Sequence, residues 1–431
     1  MALSPVEHLV RDLSRLAPPA EVRRKARECG AVRRQGLIDI HALLVTTVLG
    51  VAVRGRVSVA ELRRVYGEVT GRVLARSSFY DRLNSGFATL MKWMLEVLME
   101  SSRAEAPRLP GALSFFDDIC AEDASIVKLD DGMAEEWPGP RTNSSPAALK
   151  VHARVRVATG ELLKVRVTHG RTADCKAFGI GPELRRTLML LDQGYSSQSL
   201  WRRIQSVGGY FITRLPADRD PLILRGLRRH RGRARAVVGQ HLRAGLNGLR
   251  RQVLDVECEF TCKVRRYGAA KGRRVDEPFR VVAVFNNEAR DWHIYVTNVP
   301  IAVLTGELVA RTYRLRWEVE QFFKTSKTGS GLTELDSGNQ NVVLTMVYAA
   351  LIRATTSMRC RARVQAVLGL GRRSFLHLRS WHSTWLRHAR PALVALLPPP
   401  PPLDAEAFQR LFGNANPGRW CTLLSFGGES M

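Results

Sequence analysis

The chain has 431 residues, of which 45% are hydrophobic, and its 66 Lys and Arg outnumber 40 Asp and Glu to give a formal net charge of +26. That hydrophobic content excludes a protein dominated by disorder, and the length predicts roughly two to four modules. The charge and the pI near 10.7 predict a polyanionic partner, with nucleic acid as the leading candidate.

The cysteines and the apolar runs predict a soluble cytoplasmic protein without a membrane partner. Seven cysteines are scattered along the chain, an odd number that favours reduced thiols. Cys258 and Cys262 approach metal-ligand spacing, but no second ligand pair accompanies them, which disfavours a zinc site. The apolar runs 43–53 and 342–352 are too short to span a bilayer, and the N-terminus lacks a signal-peptide pattern.

The first predicted module, residues 1–110, is helical and basic. Apolar residues recur at spacings of three and four, which predicts helices at 6–13, 19–28, 37–53, 59–66 and 79–98. Ser77 and Ser78 are expected to cap the last of these helices. Arginines decorate the helices, so the module can place a helix in the major groove of DNA. A packing domain with solvated arginines is the alternative.

Residues 111–215 show short apolar runs separated by turns, a pattern typical of a mixed α/β sheet. Asp192 follows one such run and precedes Gly194, which places its carboxylate at the carboxyl end of a strand, where open α/β sheets bind ligands. The runs on either side of Thr159 and Gly160 predict a hairpin. The predicted strands are 113–120, 148–157, 162–167, 188–191 and 209–215, and the predicted helices are 173–180 and 197–207.

Residues 216–298 interrupt this pattern with a predicted β-rich insertion. A dense basic run at 225–235 precedes predicted strands at 253–264, 279–286 and 292–297. A solvated loop explains the basic run as well as a binding surface does. A core segment at 299–340 follows. The C-terminal region, 341–431, is predicted to be helical, with a basic stretch at 372–390, a stiff polyproline spacer at 398–402 and a short tail.

The segment 311–329, R-T-Y-R-L-R-W-E-V-E-Q-F-F-K-T-S-K-T-G, is the most informative part of the chain. In a continuous helix Tyr313, Arg316, Glu320 and Lys327 project within an arc of about 60°. One face then carries a carboxylate among two cations and a phenol. Such a face is often a solvated ion-pair surface that contributes little to stability, so the spacing alone leaves both interpretations open.

The spacing Y-x2-R-x3-E-x6-K resembles, at every position, the signature of DDE-type insertion-sequence transposases of the insertion-sequence-four family. The segment around Asp192, L-D-Q-G-Y followed by a helix and G-G-Y-F-I-T-R-L, resembles the family's second aspartate region. The resemblance covers about residues 77–336. It implies an α/β fold with a ribonuclease-H-like catalytic core interrupted by the β-rich insertion, a helical N-terminal DNA-binding region and a helical C-terminal region.

By the same resemblance, Asp123, Asp192 and Glu320 are the catalytic residues and the metal ligands. Two-metal phosphoryl transfer needs carboxylates from different elements that converge on two divalent ions. Mg²⁺ prefers such oxygen ligands, and Mn²⁺ is expected to substitute. The first acid is the open choice, because F-F-D-D-I-C-A-E-D-A-S-I-V-K-L contains four acids. Asp123, followed by a small residue, a hydroxyl and Ile-Val, is similar to the family's first aspartate motif and is chosen over Asp117 and Asp118.

The resemblance assigns Tyr313, Arg316 and Lys327 to DNA binding, as groups that hold phosphates of the transposon end. A phenol, a guanidinium fork and a point charge suit that task. Pairing with Glu318 or Glu320 on the helix surface is the alternative.

Two further side chains leave alternatives open. Trp317 is expected to pack against the sheet rather than to stack on a displaced base. His152, near the predicted hairpin, either supports a metal ligand from behind or is a core histidine, which is the commoner state of a lone histidine.

We therefore predict a transposase that binds the terminal inverted repeats of an insertion sequence, cleaves DNA with water as nucleophile and transfers the freed 3′-hydroxyl ends to target DNA. The resemblance implies double-stranded DNA as partner, a homodimer in the DNA complex, and a bacterial protein associated with the nucleoid through DNA. One alternative is a non-enzymatic repressor or architectural protein derived from a transposon. Another is a ribonuclease-H-like nuclease without strand transfer.

Overall fold

The computed structural model describes residues 13, 15–32, 38–50, 58–72, 74–140, 145–228, 237–264, 273–330, 332 and 334–368. Some predicted features lie outside these residues, wholly or in large part. They are the helix at 6–13, both ends of the helix at 37–53, much of the basic run at 225–235, the basic stretch at 372–390, the polyproline spacer and the tail.

The N-terminal part of the described chain is helical, as predicted. Asp39 caps the start of the second helix, Ser58 that of the third and Asn84 that of the fifth, each with its side-chain oxygen. The helices are α1 (Pro19–Glu28), α2 (Ile40–Val45, continued by a π-helical turn at Thr46–Gly50), α3 (Val59–Thr70), α4 (Arg76–Tyr80) and α5 (Ser85–Ala104).

The prediction that Ser77 and Ser78 cap a helix at 79–98 is wrong. Both serines lie inside α4, and a short turn separates α4 from α5. The Asn84 side chain accepts a hydrogen bond from the Phe87 N–H at 3.0 Å, satisfying a donor that the start of α5 would otherwise leave unpaired. The residue that caps the long helix α5 is therefore Asn84, which follows α4 in the chain, and not Ser77 or Ser78.

A mixed sheet forms the centre of the described chain. Its first five strands are β1 (Asp118–Leu129), β2 (Ala148–Arg156), β3 (Leu162–His169), β4 (Thr187–Leu191) and β5 (Tyr210–Arg214). They lie side by side in the order β3-β2-β1-β4-β5. Strand β2 is antiparallel to β1 and β3, whereas β1, β4 and β5 are parallel to one another. Helix α6 (Asp174–Ala177) precedes β4, and α7 (Gln198–Ser206) connects β4 to β5.

Strand β1 begins later and runs further than predicted. Residues Gly111–Phe115 form a 3-10 turn, and β1 pairs with β2 without interruption from Cys120 to Lys128. Asp118, Glu122 and Asp123 therefore lie inside one strand, whereas Asp117 precedes it. Because successive side chains of a strand point to opposite faces, adjacent acids of this segment reach different surroundings.

The predicted β-rich region extends the same sheet. Arg280 and Asp255 form a buried ion pair at 2.6 Å there, and Arg280 also donates to the carbonyl oxygens of Val299 and Leu304, each at 2.8 Å. These contacts tie the region to the segment that leads into the next helix. The sheet continues β5-β9-β8-β7-β6, with β6 (Leu222–Gly226), helix α8 (Leu242–Leu246), β7 (Val253–Val264), β8 (Arg273–Asn286) and β9 (Asp291–Thr297).

The signature segment does not form one continuous helix. Helix α9 (Gly306–Tyr313) ends in a 3-10 turn at Arg314–Arg316, and α10 (Trp317–Ser330) begins after it. A 3-10 turn has about three residues per turn, so α10 is rotated from the direction that a single helix predicts. The chain then continues through β10 (Glu334–Leu335), which pairs parallel with β1, into α11 (Gln340–Leu368).

Hydrophobic side chains cover both faces of the sheet. Val319 and Phe322 of α10 belong to the cluster on one face, together with residues of α5 and α11, and Trp201 of α7 belongs to the cluster on the other. By length and composition the stretch Gln340–Ala362 of α11 can also cross a membrane, but 83% of the tested window is buried inside the protein. Its apolar character is thus accounted for by packing.

Candidate active site

Asp123 lies in the middle of β1 and points toward the face that α10 covers. Its neighbours at alternate positions, Ala121 and Val127, belong to the same hydrophobic cluster as Phe322 of α10. The Ala124 N–H donates to Asp123 Oδ1 at 2.7 Å, and the other carboxylate oxygen lies 3.8 Å from a terminal nitrogen of Arg316. The strand thus presents this carboxylate to the helix that follows the 3-10 turn.

Each of the other acids near Asp123 is paired with an arginine elsewhere. Glu122 points to the opposite face and accepts a hydrogen bond from Arg154 at 2.7 Å. Asp118 shares that face and accepts from Arg156 at 2.8 Å. The exposed Asp117 accepts from Arg186 at 2.9 Å. Of these acids, Asp123 is the one placed beside Arg316 and Glu320.

Asp192 comes directly after β4, next to Asp123. The last residue pair between the parallel strands β1 and β4 is Glu122 with Leu191, so the register places Asp192 one step further, beside Asp123. Thr213 of β5 donates its hydroxyl to the Asp192 carbonyl oxygen at 3.2 Å. Asp192 also begins the 3-10 turn Gln193–Tyr195, which ends the strand and leaves its carboxylate at the carboxyl edge of the sheet.

Glu320 reaches the same place from the first turn of α10. Arg316, four residues earlier, donates to Glu320 Oε1 and lies between this carboxylate and Asp123. Arg316 keeps 16% of its side chain exposed, and its guanidinium carbon lies 5.9 Å from the centre of the Tyr313 ring. The sheet and the helix therefore bring Asp123, Asp192 and Glu320 together around one guanidinium.

The pKa values record this proximity. The pKa of Asp123 is raised to about 6: burial is the largest cause and the negative charges of Asp192 and Glu320 act with it, while the hydrogen bond from the Ala124 N–H and the charge of Arg316 act against it. Burial acts to lower the pKa of Arg316, but Tyr313, Glu320 and Asp192 outweigh it and the pKa rises. Asp192 and Glu320 are thus close enough to Asp123 for their charges to act on its carboxylate.

The donor chemistry of this centre fits Mg²⁺, which binds carboxylate oxygens and keeps several waters. The arrangement is not closed around a metal: in the described ranges no group of three or more His, Cys, Asp or Glu side chains lies close enough to hold one. Arg316 occupies the space between Asp123 and Glu320 instead. Metal binding therefore needs a movement of Arg316, of the carboxylates, or of both.

The remaining signature residues lie in different surroundings. Tyr313 is only 8% exposed; its hydroxyl donates to the Leu191 carbonyl oxygen at 3.2 Å, and its ring packs 5.1 Å from that of Tyr295. Burial accordingly raises the pKa of Tyr313. In this structure the Tyr313 hydroxyl stabilises the end of β4 through this hydrogen bond. Lys327 is half-buried on α10, about two turns beyond Glu320.

The prediction that Trp317 packs against the sheet is wrong. Its side chain is 56% exposed at the start of α10, directly after Arg316. His152, by contrast, is 2% exposed and shares a hydrogen bond with Thr168 at 3.0 Å. It pairs with Ala124 across β1 and β2 and so points to the face opposite Asp123. His152 is a core histidine.

Two arginines that the sequence analysis did not single out lie near Tyr295, whose ring packs against that of Tyr313. Arg214 ends β5 opposite Tyr295, and its Nε is buried without a hydrogen-bond partner among the described residues. Arg314 lines a cavity of ≈280 Å³ with His293 and Tyr295. Burial lowers the pKa of His293, and the two arginines lower it further. An arginine ending an apolar strand was the available signal for Arg214.

Comparisons with known proteins find transposases that are similar to this chain. The profile described as the Transposase DDE domain matches residues 114–354. The chain is 22% identical over 351 residues to the transposase for insertion sequence element IS231E from Bacillus thuringiensis subsp. finitimus, covering 72% of this chain and 70% of that protein. It is 19% identical over 359 residues to the transposase for IS1151 from Clostridium perfringens, covering 77% and 76%.

A solved structure also matches, at a lower level. The cryo-EM structure of the piggyBac transposase synaptic complex with hairpin DNA aligns with 91% of this chain and 86% of that chain, at 12% identity and a TM-score of 0.41. That score is too low to support a shared fold.

Proposed function

The chain belongs to the Transposase DDE domain family, and from that membership we propose that it is the transposase of an insertion sequence, acting on DNA through Asp123, Asp192 and Glu320. The observation that carries the proposal is the meeting of these three acids around Arg316, although they come from two strands and a helix far apart in the chain. A surface ion pair that only stabilises the fold needs one acid beside one base. Several acids gathered at one half-buried place, where their charges repel, are more typical of a functional site.

The strand order β3-β2-β1-β4-β5, antiparallel and then parallel, supports a ribonuclease-H-like core. In that core, β1 carries Asp123, the turn directly after β4 carries Asp192, and α10 carries Glu320. Strands β6 to β9 are then the β-rich insertion of residues 216–298, flanked by core segments at 111–215 and 299–340. Residues 1–110 form the DNA-binding region and residues 341–431 the C-terminal region.

Asp123, Asp192 and Glu320 would hold two Mg²⁺ ions, or Mn²⁺ in their place, which activate the attacking oxygen and stabilise the leaving one. In the first step a water oxygen bonds to the phosphorus at the transposon end and the P–O3′ bond breaks, leaving a free 3′-hydroxyl. In the second step that hydroxyl attacks a target phosphodiester and displaces another 3′ oxygen. Neither step forms a bond between protein and DNA.

The charge distribution supports DNA as the substrate. Helix α4 packs into the core through Phe79, which is completely buried. Its other side chains, Arg76, Ser77, Ser78 and Tyr80, are exposed and form a polar surface with one positive charge. Hydroxyl and guanidinium groups suit both phosphates and base edges. We assign recognition of the terminal inverted repeats to this region and the cut strand to Arg316 and Lys327, with a homodimer joining the two ends.

The proposal is tested with purified protein, a labelled duplex that carries the DNA flanking the gene, and a supercoiled target plasmid. Cleavage and joining are expected in Mg²⁺ or Mn²⁺, not in chelator, and neither is expected from Asp192→Asn or Glu320→Gln. Undiminished activity in these variants contradicts the catalytic assignment. Binding without cleavage in any metal identifies a repressor, and cleavage without joining identifies a nuclease.

A further inference from the structure

The guanidinium of Arg316 occupies the position of a cation at the carboxylate centre. It bonds Glu320, lies 3.8 Å from Asp123 and is close enough to Asp192 for the negative charge of that residue to raise its pKa. With 16% of its side chain exposed, it sits inside the centre rather than on its rim. In this structure, the Arg316 side chain neutralises part of the negative charge that would attract a metal.

A divalent ion and this guanidinium are incompatible neighbours. Both are cations, both seek the oxygens of Asp123 and Glu320, and like charges a few ångströms apart repel strongly in a partly buried site. Arg316 must therefore leave at least one of the carboxylates before Asp123, Asp192 and Glu320 can close around a metal.

The DNA backbone offers Arg316 another place. A guanidinium binds phosphate through two parallel hydrogen bonds as readily as it binds a carboxylate. Arg316 lies in the 3-10 turn next to the exposed Trp317, and 16% of its own side chain is exposed on the solvent side of the centre. A phosphate brought to that side competes with Glu320 for the same donors.

We propose that Arg316 couples DNA binding to metal binding: without DNA it holds Asp123 and Glu320 as an internal counter-cation, and transfer of its guanidinium to a DNA phosphate frees both carboxylates for the metal. This inference rests on the proposed function of the centre. By linkage, DNA then raises the affinity for metal, and metal raises the affinity for DNA by the same factor. The protein thus assembles its cutting centre only on a bound strand.

The test is Mn²⁺ binding, measured by titration calorimetry and by the electron paramagnetic resonance signal of free Mn²⁺, so that no cleavage is needed. Wild type and Arg316→Gln are compared without DNA and with a 30-base-pair duplex of arbitrary sequence at low salt, a length chosen to span about three helical turns. Arg314→Gln is the matched control, because it removes the same charge from the same 3-10 turn.

Without DNA, Arg316→Gln is expected to bind Mn²⁺ about tenfold more tightly than wild type, and Arg314→Gln to bind it as wild type does. The duplex is expected to tighten Mn²⁺ binding to wild type and Arg314→Gln by a similar factor, and to leave Arg316→Gln unchanged. Arg316→Met, which keeps the apolar stem beside Tyr313, replaces the glutamine variant if thermal melting shows that the latter does not fold.

Equal Mn²⁺ affinity of wild type and Arg316→Gln without DNA, including undetectable binding to both, overturns the proposal. An equal effect of DNA on both proteins overturns it as well. Neither result affects the proposed function, which is tested separately by cleavage and joining of the flanking DNA and by the loss of both in Asp192→Asn and Glu320→Gln.

Discussion

The Tyr313 hydroxyl donates a hydrogen bond to the Leu191 carbonyl oxygen at 3.2 Å, and this contact fixes the end of α9 to the end of β4, directly before Asp192. Tyr313→Phe removes the donor and leaves the buried ring in place. We expect a loss of about 0.5–1.5 kcal/mol in the free energy of unfolding, together with slower cleavage because Asp192 is less firmly positioned.

Urea unfolding and cleavage rates measure the two effects of Tyr313→Phe. Tyr295→Phe is the control, since its ring packs 5.1 Å from that of Tyr313 and its change has the same size. Equal rates of cleavage by the two variants, both at the wild-type level, would show that the hydroxyl does not position Asp192.

The buried ion pair between Arg280 and Asp255 is expected to dominate the stability of the β6 to β9 region. Arg280→Met leaves a buried carboxylate without its partner and two carbonyl oxygens, of Val299 and Leu304, without a donor. Breaking such a pair costs about 3–5 kcal/mol. Arg225→Met, which breaks an ion pair with Glu257 whose arginine is 67% exposed, is expected to cost about 0–1 kcal/mol. Similar unfolding curves for the two variants contradict this ranking.

His152 makes folding stability depend on pH. Its pKa is lowered from 6.5 to about 4, mainly by burial and also by the charges of Lys150 and Arg166, against the opposing charge of Asp174. Between about pH 6.5 and pH 4 the unfolded chain therefore binds more protons than the folded one, and the stability that the neutral ring provides is lost as the pH falls through this window. The loss is at most about 3 kcal/mol.

Urea unfolding from pH 4.5 to pH 7.5 measures this slope. His152→Gln is expected to flatten it, whereas His169→Gln, at an exposed position on β3, keeps the wild-type slope. If His152→Gln retains the slope, another group is responsible for it.

Arg76 of α4 is expected to contact DNA. Arg76→Ala should weaken binding to the flanking DNA and reduce the slope of log affinity against log salt by about one, as loss of one phosphate contact does. Lys92→Ala is the control, because Lys92 is exposed on α5 and paired with Glu96. Fluorescence anisotropy at several salt concentrations measures the DNA affinity of both variants. An equal loss of affinity in Arg76→Ala and Lys92→Ala would show that α4 is no more important for DNA binding than α5.

Much of the fold followed from apolar periodicity, because most strands and helices carry their own pattern. The site followed only in part. Glu122 and Asp123 are adjacent in sequence, and the pairing of β1 with β2 decides which one meets α10. Spacing alone also favoured one helix through Tyr313 and Arg316, whereas the hydrogen bond of Tyr313 to β4 and the 3-10 turn that follows it divide the segment. Such long-range contacts leave no local signal.

The exposure of Trp317 was missed for a related reason. An indole next to an apolar helix face suggests burial, but the 3-10 turn rotates α10 and leaves this side chain beside the site in solvent. The sequence could predict the pairing of Arg316 with Glu320, because the two residues are four positions apart on a helix. It could not predict the contact of Arg316 with Asp123, which lies nearly two hundred positions earlier in the chain.

Asp123, not a neighbouring acid, is expected to complete the centre with Asp192 and Glu320. The most direct test of this expectation is metal-dependent cleavage of the flanking DNA by Asp123→Asn and by Asp117→Asn, which remove the same charge from residues six positions apart in the same segment. We expect Asp123→Asn to lose activity by at least about a hundredfold, the scale of a lost electrostatic contribution to the transition state, and Asp117→Asn to cleave as wild type does. Full activity of Asp123→Asn, with loss in Asp117→Asn, would assign the first catalytic acid to Asp117 instead.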